Sequence, residues 1–143
     1  MQLKTILNRV EHYKSFVYVA VRFGDATRSS LEVEVAARAN GRPICSGCGR
    51  VAPGYDRLPQ RRYEYVPLWA MAVYWLYAPR RVDCPRCGVK VERVPWAEGK
   101  SQLTRTYQWF LAGWAKLLAW QQVANVFRTS WQTVYRSVQL AVS

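Results

Sequence analysis

Acidic side chains are scarce in this chain of 143 residues, which has nine Asp and Glu against 21 Lys and Arg. After Glu98 there is no acidic residue, so residues 99–143 offer no carboxylate for two-metal or acid–base catalysis. The only histidine is His12, and no Gly-rich phosphate loop or Ser/His/Asp order accompanies it. These absences argue against an enzyme.

Long apolar runs and a secretory leader are also missing. The longest apolar run, residues 66–78, has 13 residues with Pro67 near its start, whereas a membrane-spanning helix needs about 20. We therefore expect a buried strand there, and no membrane partner. The first ten residues carry Lys4 and Arg9 without an apolar core, so we expect a cytoplasmic protein in which disulfides are disfavoured.

Positive charge is present in excess and is spread unevenly. The formal net charge is +12 and the isoelectric point is near 10.0. Residues 1–37 carry a net charge of +1, residues 38–93 carry +7, and residues 94–143 carry +4. Carboxylates facing DNA phosphates would be repelled, so an acid-free stretch of 45 residues in a basic chain indicates a polyanionic partner.

All four cysteines lie in two Cys-x-x-Cys-Gly sequences, formed by Cys45 with Cys48 and by Cys84 with Cys87. Four thiolates in two such pairs make a tetrahedral cage for one metal ion, and Zn²⁺ is the expected ion. The glycine after each pair accepts the positive φ angles that such turns often require. The 35 residues between Cys48 and Cys84 suit a ribbon whose two cysteine turns sit on β-hairpins.

Two alternatives use the same cysteines. A disulfide framework is one, and the missing leader argues against it. The other is a rubredoxin-like electron carrier, in which four cysteine sulfurs hold one iron. Such carriers also contain paired Cys-x-x-Cys-Gly turns, but they tend to be small and acidic, and this chain is basic.

Alternation of apolar and polar residues predicts strands in the first hundred residues. Residues 16–21 and 31–35 are expected to pair in a small sheet with a turn at Gly24 and Asp25. Residues 63–82 are predicted as one extended strand that leads into the second cysteine pair, with its aromatic side chains in the core.

Helical spacing replaces alternation beyond Pro95. It predicts an amphipathic helix over residues 102–118, a short helix over residues 120–127, and a third helix that Ser130 caps. The third helix is expected to bury Val134, Val138 and Ala141. The fold class is therefore α+β: a small antiparallel sheet with a four-cysteine zinc ribbon in a domain of residues 1–99, then a three-helix helix-turn-helix bundle over residues 100–143.

The last two helices have the spacing of a helix-turn-helix. Ala124 and Val134 are expected to pack where these helices cross. Arg128 stands in the turn, where glycine is usual, so we expect either a left-handed arginine at a cost of about 1 kcal/mol or a slightly different turn.

The third helix supplies the candidate DNA contacts. Glutamine can pair bidentately with adenine and arginine with guanine, so Gln132 and Arg136 are expected to read bases. Positions near the helix N-terminus suit phosphates, and these are Arg128, Ser130 and Thr133. Tyr135 also lies off the buried stripe. Trp131 fits either the core or a DNA contact.

Four segments of the chain resemble the N-terminal half of the ISL-three-type insertion-sequence transposases, namely residues 80–88, 94–97, 114–116 and 127–134. The order of strands, zinc ribbon and helix-turn-helix is similar as well, so the resemblance covers essentially the whole chain. It implies a transposon-end DNA-binding region, normally followed by a catalytic domain of RNase H fold with three metal-binding carboxylates. No catalytic carboxylate can be assigned in this chain.

Sequence-specific binding of double-stranded DNA, at transposon terminal repeats, is the leading prediction. A stand-alone transcriptional regulator would use the same zinc site and helix-turn-helix, and the electron carrier is the alternative from another class. The expected partners are double-stranded DNA, a second copy of the chain, and a catalytic domain beyond Ser143. The expected location is the cytoplasm, at the bacterial nucleoid.

Overall fold

The computed structural model describes residues 2–142, and within that range the chain forms four helices and seven strands. Their order is α1 (Leu3–Val10), β1 (Phe16–Phe23), β2 (Ser30–Ala37), β3 (Gly54–Arg57), β4 (Arg61–Leu68), β5 (Met71–Tyr77), β6 (Arg80–Cys84), β7 (Gly88–Val91), α2 (Arg105–Ala115), α3 (Trp120–Val126) and α4 (Trp131–Val142). The α+β class is confirmed. No helix among these residues is both long and apolar enough to cross a bilayer.

The larger sheet has the strand order β1-β2-β5-β4. The β1–β2 hairpin is confirmed, and Gly24 closes its turn by donating its N–H to the carbonyl oxygen of Ser30 at 2.9 Å. The prediction of a purely antiparallel sheet is wrong, because β5 lies parallel to β2. The chain leaves β2, passes through the first cysteine pair and β3, and returns as the β4–β5 hairpin beside the same strand.

Residues 63–82 do not form the single strand predicted for them. The chain turns at Trp69 and Ala70, which have φ angles of 49° and 62°, and β4 pairs antiparallel with β5 across this turn. The 13-residue apolar run therefore contributes to two strands. Tight hairpins with positive φ at both turn positions usually contain Asn or Gly, and their absence hid the turn from sequence inspection.

Aromatic rings fill the core of the larger sheet. Trp75 and Trp96 are fully buried, and their ring centroids lie 5.9 Å apart in an edge-to-face arrangement. Tyr63 and Tyr77 are also buried, which confirms that the aromatic residues of this segment mainly form the core. Trp69 is the exception, because it stands at the hairpin tip with 78% of its surface exposed.

The last three helices pack around a second hydrophobic cluster, made by Tyr107, Leu111, Val123, Ala124 and Val134. The first of them, α2, is shorter than predicted, because Thr104 caps it by accepting the Tyr107 N–H at 3.2 Å. In α4 the buried residues are Val134 and Ser137, whereas Val138 and Ala141 are only half-buried. Ser137 can be buried because its hydroxyl donates to the Thr133 carbonyl oxygen at 2.8 Å.

Hydrogen bonds join this helical unit to the larger sheet and to Glu11 beside it. Thr104 donates its N–H to the Glu64 carbonyl oxygen at 2.9 Å, which extends the outer edge of β4. The Glu11 carboxylate accepts bonds from Thr106 of α2 at 2.7 Å and from Tyr65 of β4 at 3.2 Å. The domain boundary at residues 99 and 100 stays a prediction.

Candidate metal centre and nucleic-acid interface

The first cysteine pair lies on a narrow hairpin closed by a bridge between Ile44 and Val51. Cys45 donates its N–H to the Arg50 carbonyl oxygen at 2.8 Å, and its own carbonyl oxygen accepts the Gly49 N–H at 2.9 Å. Gly49 has a φ of 74°, as the turn was expected to require. The hairpin thereby directs backbone N–H groups toward sulfur, and the Gly47 N–H lies 3.3 Å from the Cys45 Sγ.

The second cysteine pair lies at the turn between β6 and β7. Cys84 is the last residue of β6 and pairs with Gly88, the first residue of β7. Gly88 has a φ of 78°, so both glycines that follow the cysteine pairs adopt the left-handed conformation. The expected placement of the two cysteine pairs on β-hairpins is confirmed.

The two hairpins bring all four cysteines together. Their Sγ atoms lie within 4.8 Å of one another, and those of Cys48 and Cys84 are 3.6 Å apart. A disulfide would need about 2.05 Å, and all four cysteines are unpaired. Metal–sulfur bonds of about 2.3 Å in a tetrahedron place neighbouring sulfurs about 3.8 Å apart. The cluster is therefore compatible with one metal ion at its centre.

The surroundings of the sulfurs favour thiolates at two positions and the thiol at one. Backbone N–H groups of Arg86 and Cys87 lower the pKa of Cys84 to about 7, and those of Cys48 and Gly47 lower the pKa of Cys45. Burial and the neighbouring cysteines raise the pKa of Cys87 to about 12. A cation among the sulfurs would stabilise the thiolate at all four positions, because its positive charge offsets the repulsion between neighbouring thiolates.

An ion pair that we did not predict lies beside the cysteine cluster, and a hydrogen bond from Tyr77 joins it to the larger sheet. Glu92 follows β7, is buried, and forms an isolated bridge with Cys45. Its carboxylate accepts bonds from the Arg80 guanidinium at 2.9 and 3.0 Å and from the Tyr77 hydroxyl at 2.6 Å. Such a buried charge must be paired, and breaking one partner of a buried pair is strongly destabilising. Sequence alone gave no sign of it, because Glu92 sits beside Arg93 rather than Arg80.

The connection between α3 and α4 has the expected geometry. Arg128 is left-handed with a φ of 53°, and the Thr129 N–H reaches back to the Ala124 carbonyl oxygen at 2.9 Å. Ser130 caps α4, since its Oγ accepts the Thr133 N–H at 3.1 Å. Ala124 and Val134 are buried together, as predicted. The two helices are thus held at a fixed angle by a short turn.

Five of the six residues that we expect to contact DNA lie exposed at the turn or on α4: Arg128, Ser130, Gln132, Tyr135 and Arg136. Gln132 and Arg136 are four residues apart, so their side chains project from the same face of the helix. Thr133 is half-buried, and its hydroxyl lies 2.9 Å from that of Ser130. Thr133 therefore belongs partly to the cap of the helix.

An aromatic cluster beside this face was missed in the sequence. Trp131 and Tyr135 are stacked with centroids 5.5 Å apart and planes inclined by 6°, and Trp120 lies within 6 Å of both rings, at 5.8 and 5.6 Å. Trp131 remains 44% exposed and Tyr135 38% exposed. The i, i+4 spacing of two aromatic residues was the available signal. The cluster stiffens the side chains around the start of α4.

Comparison with known proteins supports part of the resemblance. The chain is similar to the transposase for insertion sequence element IS1557 of Mycobacterium tuberculosis, in strains CDC 1551 and H37Rv, with 33% identity over 91 residues. The match covers 63% of this chain and 20% of each relative, so the chain spans about a fifth of the length of the curated relatives it matches. No family model and no solved structure matches the chain. Over the matched stretch, the chain is transposase-related in sequence.

Proposed function

We propose that this chain binds double-stranded DNA in a sequence-specific way, at transposon terminal repeats, as the non-catalytic N-terminal part of an ISL-three-type transposase. The observation that carries the proposal is the exposed face of α4, which presents Gln132 and Arg136 on a helical unit without a single carboxylate. The similarity to insertion-sequence transposases supports the same role. Such a region would position a catalytic domain at the transposon end. This binding would take place in the cytoplasm, at the nucleoid.

In this proposal α3 and α4 form a helix-turn-helix, and α4 enters the major groove. Arg136 donates two bonds to a guanine and Gln132 pairs with an adenine, which are the pairings that discriminate bases best. Phosphates are held at the N-terminus of α4, where Arg128 and Ser130 are exposed.

The metal centre has a structural role in this proposal, and Zn²⁺ is the ion. Cys45, Cys48, Cys84 and Cys87 supply four thiolates and leave no coordination position open, as in structural zinc sites. Bound zinc joins the two cysteine hairpins through metal–sulfur bonds. A purified protein that is colourless and contains zinc fits this assignment, whereas visible absorption from bound iron would favour the electron carrier.

A selection experiment tests the DNA-binding proposal directly. The chain is incubated with a pool of random duplexes, and the retained fragments are sequenced over several rounds. We expect one motif to be enriched and its affinity to fall steeply with salt, with a log–log slope of about −0.9 per phosphate contact. Retention without any enriched motif would contradict sequence-specific recognition. The mass of the complex in solution reports whether two copies of the chain bind together.

We expect the chain by itself to cut and join no DNA. Strand transfer with two metal ions needs several carboxylates that converge on metals about 4 Å apart, and the helical unit has none. The test is to incubate the chain and its selected duplex with Mg²⁺ or Mn²⁺ and to analyse the strands on a denaturing gel. Nicking that disappears when one acidic residue is replaced would contradict the non-catalytic role.

Arg128→Gly should separate stability from DNA binding. The left-handed conformation costs a non-glycine residue roughly 1–2 kcal/mol, and the extra freedom of unfolded glycine offsets roughly 0.5–1 kcal/mol of that gain. We therefore expect the free energy of unfolding to rise by about 0.5–1 kcal/mol in denaturant titrations. DNA affinity should fall equally on selected and random duplexes, since a phosphate contact carries no sequence information.

Arg128→Lys is the matched control for this variant. Lysine keeps both the charge and the backbone strain, so its stability and its DNA affinity should stay close to those of the parent chain. A glycine variant that is less stable than the parent would show that Arg128 makes a stabilising contact in the free protein. A glycine variant with undiminished DNA affinity would remove Arg128 from the interface.

A further inference from the structure

A basic groove lies on the outer edge of β4. Its volume is about 610 Å³, and polar or charged side chains dominate its walls, including Arg61, Arg62, Glu64, Tyr74, Lys100 and Gln102. Three of these side chains are cationic and one is a carboxylate. Neither the metal centre nor the proposed helix-turn-helix uses this surface.

The backbone joins the groove firmly to the helical unit. Glu64 donates its N–H to the Gln102 carbonyl oxygen at 2.7 Å and accepts the Thr104 N–H at 2.9 Å, so the segment before α2 runs along β4 like a further strand. Thr104 then caps α2 itself. The groove and α2 therefore share one rigid connection, and α2 packs in the same hydrophobic cluster as Val134 of α4.

The cations of the groove are held in place to different degrees. The Arg62 guanidinium lies over the Tyr74 ring at 4.0 Å from its centroid, a cation–π contact that restricts the side chain. Arg61 is half-buried, and Lys100 is exposed. Glu64 is the one carboxylate of the groove. Its burial raises its pKa, and the positive charge of Arg62 offsets only part of this effect. An anion entering the groove still meets an excess of positive charge.

We propose that this groove is a second DNA contact, which holds the phosphodiester backbone beside the duplex segment that α4 reads. The proposal rests on the proposed function only for the presence of DNA and not for base recognition. The walls suit a sugar–phosphate chain because they offer guanidinium, ammonium and amide donors and more polar than apolar surface. Specific complexes draw much of their affinity from several phosphate contacts, whereas the helical unit provides only a few cations of its own.

The test compares two triple variants that remove the same charge. The groove variant is Arg61→Gln, Arg62→Gln and Lys100→Gln, and the control is Arg9→Gln, Lys14→Gln and Arg28→Gln, three exposed positions elsewhere. Affinity for the selected duplex is measured from low to high salt. We expect the groove variant to lose about 2–3 units of the log–log salt slope, at roughly 0.9 per phosphate, and the control to lose less than one.

Two further measurements keep the inference falsifiable. Arg61→Lys with Arg62→Lys keeps the charge and should keep the parent slope. If the groove triple variant melts early, Lys100→Gln alone, on an exposed loop, should still lower the slope by about one. Equal slopes for the groove variant, the control and the parent would overturn the inference.

Failure of the groove and failure of the proposed function give different results. If the parent chain selects a motif and the groove variant keeps the parent salt slope, the proposed function is supported and the groove contact is contradicted. If the parent chain binds duplexes without selecting a motif and the groove variant has a smaller salt slope, the groove contact is supported and the proposed sequence-specific function is contradicted. Competition by inorganic phosphate at millimolar concentration, with no effect of the groove variant on DNA, would assign the groove to a free anion and overturn the DNA contact.

Discussion

Replacing Cys84 with serine is expected to abolish metal binding and to unfold the part of the chain that the two cysteine hairpins build. The parent chain should contain about one zinc ion, with zinc–sulfur distances near 2.3 Å by X-ray absorption. The variant loses one of four ligands, and we expect its zinc affinity to fall by more than about 100-fold. Losing a residue that only hydrogen-bonds to a ligand typically costs about 10- to 100-fold, and losing a ligand itself should cost more. Elemental analysis and a zinc competition titration measure both quantities.

The physical reason is the small core around the metal centre. That core consists of Cys45, Ala52, Val82 and Cys84, with Cys48 and Cys87 packed against it. The strands β3, β6 and β7 have four, five and four residues, and such a small unit usually needs a metal or disulfides to stay folded. Because Tyr77 of the larger sheet donates a hydrogen bond to Glu92 of this unit, we expect much of the larger sheet to loosen as well.

Ser46→Ala is the matched control for Cys84→Ser. Ser46 is exposed between Cys45 and Cys48 in the first hairpin, so its replacement should leave zinc content and melting temperature unchanged. Near-ultraviolet circular dichroism follows the packing of the sheet, whose core is aromatic. A Cys84 variant that keeps zinc and its aromatic signal would contradict a four-thiolate site. Iron instead of zinc in the parent chain would contradict the zinc assignment, and an intermolecular disulfide would contradict the four-thiolate site.

Arg136→Ala should weaken binding to the selected duplex by about 1–3 kcal/mol, which is roughly 5- to 150-fold, and should weaken binding to random duplexes far less. The reason is that a bidentate arginine–guanine pair exists only on the correct base. Arg136 is exposed on α4 and lies four residues after Gln132, so both side chains can reach base edges in the same major groove of the DNA. Fluorescence anisotropy with both duplexes at fixed salt measures the difference.

Lys116→Ala is the matched control for Arg136→Ala, because it removes one exposed positive charge from the helical unit at the C-terminal end of α2. It should reduce both affinities slightly and equally, through the general electrostatic attraction. An equal loss on both duplexes for Arg136→Ala would make Arg136 a phosphate contact. In that case a new selection with the variant would return the parent motif unchanged.

Local patterns in the sequence were sufficient for the features that neighbouring residues determine. Paired Cys-x-x-Cys-Gly sequences predicted the two hairpin turns with their left-handed glycines. Helical spacing predicted α3 and α4, and Ser130 marked the start of α4, because capping depends on a side chain and an N–H three residues apart. A left-handed Arg128 was one of two alternatives that the sequence left open, because this arginine stands where the turn usually has glycine, and the structure selects it.

Tertiary structure alone decided the features that join distant parts of the chain. The parallel pairing of β2 with β5 depends on which strand edge is open when the β4–β5 hairpin folds, and no local pattern encodes that choice. The turn at Trp69 has no turn residues of its own, so pairing between its strands must hold it in place. The buried Glu92 forms its ion pair with Arg80 of the paired strand β6 and not with its sequence neighbour Arg93. Likewise, Arg61 and Lys100 line one basic groove only because the chain before α2 extends the edge of β4.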